Sequence, residues 1–303
     1  MNRILAIAAI FTAGVATAQP GFHGPARYVS MGSSYAAGPG VGTPDPAGAS
    51  CGRSSSNFAD IFARRRHLLL VDVSCSGATT DNLLYRGQHG LRAQIEMLTP
   101  DTRLVTVLIG GNDVDYVRNM LGLSCRATGG TNCHVVDDAE VKRHFQMLPD
   151  ALDRVVVEIR HRAPDARIVL VDYLPAVPTD ASSECPSLPL SPRDAARMRA
   201  VATRLARVIG SAAQRNGVGI VRSSTIGAGH ALCSAQPFIA GYHLPGGLHP
   251  SPIIPIRSAW TRLPPPLTRP LDPRQISFVL RRRTVRTPTA KAASPVCGAG
   301  GCD

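Results

Sequence analysis

Outside its first eighteen residues, the 303-residue chain contains no apolar run long enough to cross a bilayer as a helix, which takes ~18 residues or more. An integral membrane protein is therefore excluded. No two cysteines form a Cys-x-x-Cys knuckle, and no His/Asp/Glu cluster has ligand spacing, so neither a metal nor another cofactor is expected. No internal repeat is evident. Charged residues are only 18% of the chain against 44% hydrophobic, which excludes a disordered chain and leaves enough apolar material for a core. The single tryptophan, Trp260, lies near the C-terminus.

The net charge of +12 points at first to nucleic acid, but its distribution argues against that partner. Residues 251–303 hold nine of the 33 bases and two of the 21 acids, so most of the excess belongs to that stretch. The same stretch holds nine of the 25 prolines, with Pro-Pro-Pro at 264–266 and Arg-Arg-Arg at 281–283. It reads as a poorly ordered tail over 253–303, behind a body at 19–252. Nothing signals an oligomer.

The N-terminal residues have three parts: Arg3, an apolar stretch from Ile4 to Val15 too short to span a membrane, and the small-residue site Ala16-Thr17-Ala18. This pattern predicts a secretory signal peptide over 1–18 and an extracellular protein. Export makes the even count of eight cysteines read as disulfides. Nearest-neighbour pairing gives Cys51–Cys75, Cys125–Cys133 and Cys185–Cys233, leaving Cys297 and Cys302 in the tail, although spacing alone leaves other connectivities open.

Short, nearly continuous apolar runs at Arg27–Met31, Leu68–Val73, Arg103–Ile109, Arg167–Tyr173 and Val218–Val221 predict strands buried on both faces. Helical patterns lie between them. The clearest follows Leu190, with Ser191 as cap, Pro192 in the first turn, Asp194 for the dipole, and Met198, Val201, Leu205, Val208 and Ala212 on one face before Gly217. A second covers Ala139–Arg162, with Pro149 kinking or dividing it, and a third runs from Phe58 to Arg65. Alternating strands and helices imply a parallel sheet covered on both sides, with chemistry at the carboxyl ends of the strands.

Four short blocks occupy those ends. Met31-Gly32-Ser33-Ser34-Tyr35-Ala36-Ala37-Gly38 follows the first strand and Ser74-Cys75-Ser76-Gly77-Ala78-Thr79-Thr80 the second. Ile109-Gly110-Gly111-Asn112-Asp113 follows the third, and Gly246-Gly247-Leu248-His249-Pro250-Ser251 closes the body. Each has a bland reading alone: a helix-capping serine, a tight turn, an Asx turn, an exposed histidine. Taken in order, the four blocks resemble the SGNH (GDSL-type) hydrolase family over roughly Ala26 to Ser251, with Ser34, Gly77, Asn112 and His249 at the name-giving positions. The cysteines are also similar to those of secreted actinobacterial lipases of this family, with pairs spanning the first two blocks, following the Asn block and preceding the His block.

The resemblance implies an α/β three-layer sandwich with a five-stranded parallel sheet in flavodoxin-like order. It also implies a secreted serine esterase or lipase acting on small-molecule or lipid esters. Ser34 would be the nucleophile and His249 its base. The oxyanion would be held by the N–H groups of Ser34 and Gly77 and by the Asn112 amide. Two departures stand out. Gly32-Ser33-Ser34 replaces the family's usual Gly-Asp-Ser. Gly246 replaces the Asp often found three residues before the His, which favours a Ser34–His249 dyad oriented by the Gly246 carbonyl, with a carboxylate from elsewhere as the alternative. Competing functions are carbohydrate deacetylation or acyl transfer on the same fold, and a non-catalytic envelope-binding protein. The tail has two readings: a change of reading frame just after the His block, or a native basic segment in weak contact with an anionic surface.

Overall fold

Five short apolar runs form five parallel strands: β1 (Arg27–Gly32), β2 (Leu69–Asp72), β3 (Thr102–Leu108), β4 (Arg167–Val171) and β5 (Gly219–Val221). They lie in one sheet in the order β2-β1-β3-β4-β5. The computed structural model describes residues 24–179 and 185–240 and the backbone of 254–255. The expected signal peptide, Gly246, His249, Trp260, Cys297, Cys302 and the tail apart from 254–255 lie outside the described residues. The chain divides at Pro264, and every described residue belongs to the unit before it.

The burial pattern follows from position in the sheet. β1, β3 and β4 are almost wholly buried because helices cover both faces, as parallel sheets require. The edge strands β2 and β5 are only half covered, and Leu69 at the start of β2 is exposed. The chain leaves β1 for β2 on one side and returns to β3 on the other, so a topological switch point falls between β1 and β3. In open parallel sheets the crevice beyond the carboxyl ends at that point is where ligands bind.

Single-turn helices α1 (Ser34–Ala37), α3 (Thr80–Leu84) and α7 (Ser223–Ile226) follow β1, β2 and β5, and α2 (Phe58–Arg66) packs on β2. On the other side of the sheet order, α6 (Pro192–Asn216) lies along β4 and β5, with α4 (Tyr116–Ala127) and α5 (Asp138–Arg162) against it. Ser191 caps α6 by accepting the Asp194 N–H at 3.1 Å, and Gly217 ends it in the left-handed region; such a cap contributes about 1 kcal/mol. Its buried stripe runs through Met198, Leu205, Ile209, Ala212 and Ala213, with Val201 and Val208 at the margin. α5 continues undivided through Pro149. Its buried face, from Val141 and Phe145 to Val156 and Ile159, holds it across the missing N–H.

Disulfides join Cys51–Cys75, Cys125–Cys133 and Cys185–Cys233. A two-residue antiparallel pair, β6 (Ile239–Ala240) with β7 (Ile254–Pro255), brings the chain beyond the His block back beside the body.

Candidate active site

β1 and β3 run on past β2. Their pairing reaches Gly32 opposite Leu108, whereas β2 ends at Asp72 opposite Ser30. The last residue of β1 therefore has no strand partner on its β2 side. Gln94 fills that place with its side chain: Oε1 accepts the Gly32 N–H at 2.8 Å, and Nε2 donates to the Gly32 carbonyl at 3.0 Å. Gly32 has φ +147, and a Cβ there would lie 2.4 Å from the Leu108 carbonyl oxygen, so only glycine fits. The Ser33 N–H then donates to Leu108 at 3.1 Å, and the chain turns into α1 at Ser34, which is half-buried.

The second block is laid against the first by main-chain bonds. Cys75 N–H donates to the Gly32 carbonyl and Ser76 N–H to Cys51, both at 3.0 Å. This brings Gly77 to the surface with φ +81. Gln88 secures the turn by donating to the Ser76 carbonyl at 3.1 Å. The third block is tied to the second by side chains. Asn112 Nδ2 donates to the Ala78 carbonyl at 2.8 Å. The Asp113 carboxylate accepts the Thr80 N–H at 3.0 Å and the Thr80 hydroxyl at 2.5 Å.

Ser34, Gly77 and Asn112 thus sit on adjoining turns at the carboxyl ends of β1, β2 and β3, around the switch point. Among the described residues, neither the Ser34 N–H nor the Gly77 N–H meets a protein acceptor, and the Asn112 amide has spent only one of its two N–H bonds. Gly246 and His249, the other two expected site residues, lie outside the described residues.

Four aspartates cluster at the same end of the sheet. Asp72 accepts from Asn57 Nδ2 at 2.7 Å and from the Ser74 N–H and hydroxyl at 3.0 and 2.6 Å. Asp172 accepts from the Ser224 N–H and hydroxyl, both at 2.7 Å. Burial pushes the carboxyls of Asp72, Asp113 and Asp172 above their ordinary range, and their hydrogen bonds counter it only in part. Asp115 pairs with His144 Nδ1 at 2.9 Å and with Arg118 at 3.3 Å. No group of three or more His, Cys, Asp or Glu able to hold a metal occurs among the described residues.

Gln94 and Tyr173 were not anticipated from the sequence. Gln94 lies in a stretch with neither helical nor strand period. Tyr173 ends an apolar strand run, where its hydroxyl was the available signal.

A serine and N–H donors without protein acceptors among the described residues, on adjoining turns at the switch point of an open parallel sheet, form an arrangement suited to acyl transfer. The model of the GDSL-like Lipase/Acylhydrolase family matches residues 30–253, and the chain belongs to that family. It is 31% identical to Lipase 2 of Streptomyces coelicolor over 237 residues, covering 72% of this chain and 78% of the relative. It is 30% identical to a lipase of Streptomyces rimosus over 247 residues, covering 80% and 87%. The crystal structure of an extracellular lipase from Streptomyces rimosus superposes with a TM-score of 0.65 at 27% identity, over 80% of this chain and 97% of that one. A phospholipase A1 from Streptomyces albidoflavus, 23% identical, shares the fold with a TM-score of 0.62, over 80% of this chain and 98% of that one. The chain is accordingly a carboxylic ester hydrolase.

Proposed function

We propose that the protein is a secreted serine esterase or lipase that works through an acyl-enzyme on Ser34, with His249 as the general base. The observation that carries this reading is the set of three donors without protein acceptors among the described residues: the N–H groups of Ser34 and Gly77 and the second Asn112 N–H. They belong to turns fixed on one another at the end of the sheet, which is the preorganisation a developing oxyanion needs.

In the proposed reaction, Ser34 Oγ attacks the ester carbonyl carbon as its proton passes to His249. The carbonyl oxygen becomes an oxyanion that accepts from the three donors. Collapse of the intermediate breaks the bond to the alcohol oxygen, which leaves with the proton held by His249. Water then attacks the Ser34 ester, losing a proton to His249; collapse breaks the bond to Ser34 Oγ, which takes that proton back from His249 as the carboxylic acid departs. The Gly246 carbonyl is assigned to orient the histidine by accepting its Nδ1–H.

Secretion is supported by the N-terminal pattern, by three disulfides that suit an oxidising compartment, and by similarity to a lipase described as extracellular. The test is a panel of p-nitrophenyl esters of graded chain length, run with the wild type and Ser34→Ala. The variant should lose at least ~10³-fold in kcat on every ester turned over. Equal turnover by Ser34→Ala would remove the assignment.

A further inference from the structure

We propose that Tyr173 is a positioning residue whose single buried hydroxyl locks the Ser34 turn and the Asn112 loop together by bonding to the residue that precedes each. The proposal rests on the roles given above to Ser34 and Asn112.

Tyr173 stands just beyond β4 and is buried. Its Oη accepts the Gly111 N–H at 2.9 Å and lies 3.3 Å from Ser33 Oγ. Having accepted one N–H, the phenolic oxygen still has its own O–H to give and a lone pair to offer, so the bond to Ser33 can run in either direction. Burial raises the phenol well above its ordinary range, which keeps that proton in place through neutral and mildly alkaline conditions.

The ring makes matching contacts. It lies 4.9 Å from the ring of Tyr35, tilted by 56°, and meets Tyr116 edge-on at 6.3 Å. Tyr116 in turn donates its N–H to the Gly111 carbonyl at 2.8 Å. Against Gly111 the fit is tighter still, since a Cβ there would come within 2.7 Å of the Tyr173 ring. Tyr173 therefore touches residues 33 and 35 on either side of Ser34, and residues 111 and 116 flanking the turn that carries Asn112.

The oxyanion donors come from different strand ends, and misplacement by about 1 Å can cost ~10²-fold in rate. The β2 side of the site is held by Gln94, Ala78 and Asp113 through bonds already described. Tyr173 supplies the corresponding tie from the β4 side. It also gives a physical role to Ser33, which stands where the family usually has aspartate: in a fully buried position, a neutral hydroxyl bonds to the tyrosine without burying a charge.

The test uses the full-length protein with a p-nitrophenyl ester as substrate. A fluorophosphonate counts competent sites by the mass of its Ser34 adduct, so losses of folded protein drop out. Tyr173→Phe should lower kcat per titrated site by ~10–100-fold with KM within about twofold, because the groups that bind substrate are untouched. Ser33→Ala removes only the longer, weaker bond and should cost ~3–10-fold. The double variant should be no worse than Tyr173→Phe within about twofold, since Ser33 acts through the same hydroxyl. Near-wild-type kcat per site in Tyr173→Phe, or losses that multiply in the double variant, would overturn the proposal. If Tyr173→Phe does not fold, Ser33→Ala decides alone, and an unchanged kcat overturns it. A wild-type adduct on a residue other than Ser34 would overturn the Ser34 assignment itself, and this proposal with it.

Discussion

Replacing Gln94 with glutamate exchanges one NH2 for one oxygen at the end of β1. In the native protein the amide stands in for a strand, accepting from Gly32 N–H and donating to Gly32 C=O. A carboxylate still accepts the N–H but points a second, negatively charged oxygen at a carbonyl about 3 Å away, in a buried position. A protonated carboxyl restores both bonds, because its C=O accepts and its O–H donates. The folded state of Gln94→Glu therefore favours the proton, and the folded pKa of the new carboxyl rises above its unfolded value of ~4.3. The sign follows from linkage: the restored bonds stabilise fully below pH ~4, and that stability is lost as pH climbs through the raised folded pKa. A rise of ~1.5–3 units corresponds to ~2–4 kcal/mol, or about 5–12 °C in Tm for a body of this size. Gln94→Leu provides the control. It strands the buried Gly32 N–H, costing ~1–3 kcal/mol, at every pH. Thermal melts of the three proteins between pH 4 and 8 should show the Gln94→Glu deficit shrinking towards the acid end while the Gln94→Leu deficit stays level. A Gln94→Glu deficit equal at pH 4 and pH 8 would refute the assignment of Gln94 as a surrogate strand.

Asn112→Ala should lower kcat by ~10²–10³-fold with a small change in Tm, measured by ester turnover beside a thermal melt. The kcat/KM profile should fall below pH ~6.5 as His249 takes up a proton, and a flat profile down to pH 5 would argue against a histidine base. Asp172, held above its ordinary carboxylate range by burial, binds its proton more tightly folded than unfolded, so its contribution to stability falls as pH rises through the folded pKa. Asp172→Asn keeps an acceptor for the Ser224 N–H and removes that slope, so urea melts at pH 5 and 7.5 should differ less than in the wild type. Replacing Cys51 and Cys75 together by alanine should cost ~2–4 kcal/mol in urea unfolding, and should lower activity because the bridge supports the Ser76–Gly77 turn.

The parts of the fold legible in the sequence were those governed by burial on both faces. The five apolar runs became the five strands to within one or two residues at each end. The α6 helix could be read end to end because Ser191, Asp194 and Gly217 act locally. By contrast, α4 was hidden because its buried face includes Asn119 and Ser124, which break the apolar period. Asn119 is buried because it exchanges two bonds with the main chain of Val136, a partnership that composition does not signal. The same distinction separates the site residues. Ser34, Gly77 and Asn112 sit in short turns directly after strands, where their types stand out. Gln94 and Tyr173 act across 62 and 140 residues of sequence, and no local pattern marks a side chain whose partners are that remote.

The aspartates at the strand ends bear on whether the proposed base works in a dyad or a triad. A carboxylate recruited to His249 must have a lone pair to offer and be free to turn towards it, and the four at the strand ends are already held in place by other donors. Asp72 serves Asn57 and Ser74, and Asp113 serves both the N–H and the hydroxyl of Thr80. Asp172 serves Ser224 in the same double fashion, and Asp115 is paired with His144 and Arg118. Turning one of them to the histidine would leave buried donors without acceptors, at ~1–3 kcal/mol each, and in the case of Asp113 would release the bond that ties the Asn112 loop to α3. These carboxylates build the frame that holds the donors, and the cost of diverting any of them favours a main-chain carbonyl as the histidine's partner. A carbonyl fixes the tautomer but adds no full negative charge, so the imidazolium formed during attack is stabilised less than in a triad. The rigidity of the proposed oxyanion site would then matter more, and the bonds available to supply it are those of Gln94 and Asp113 on one side and of Tyr173 on the other.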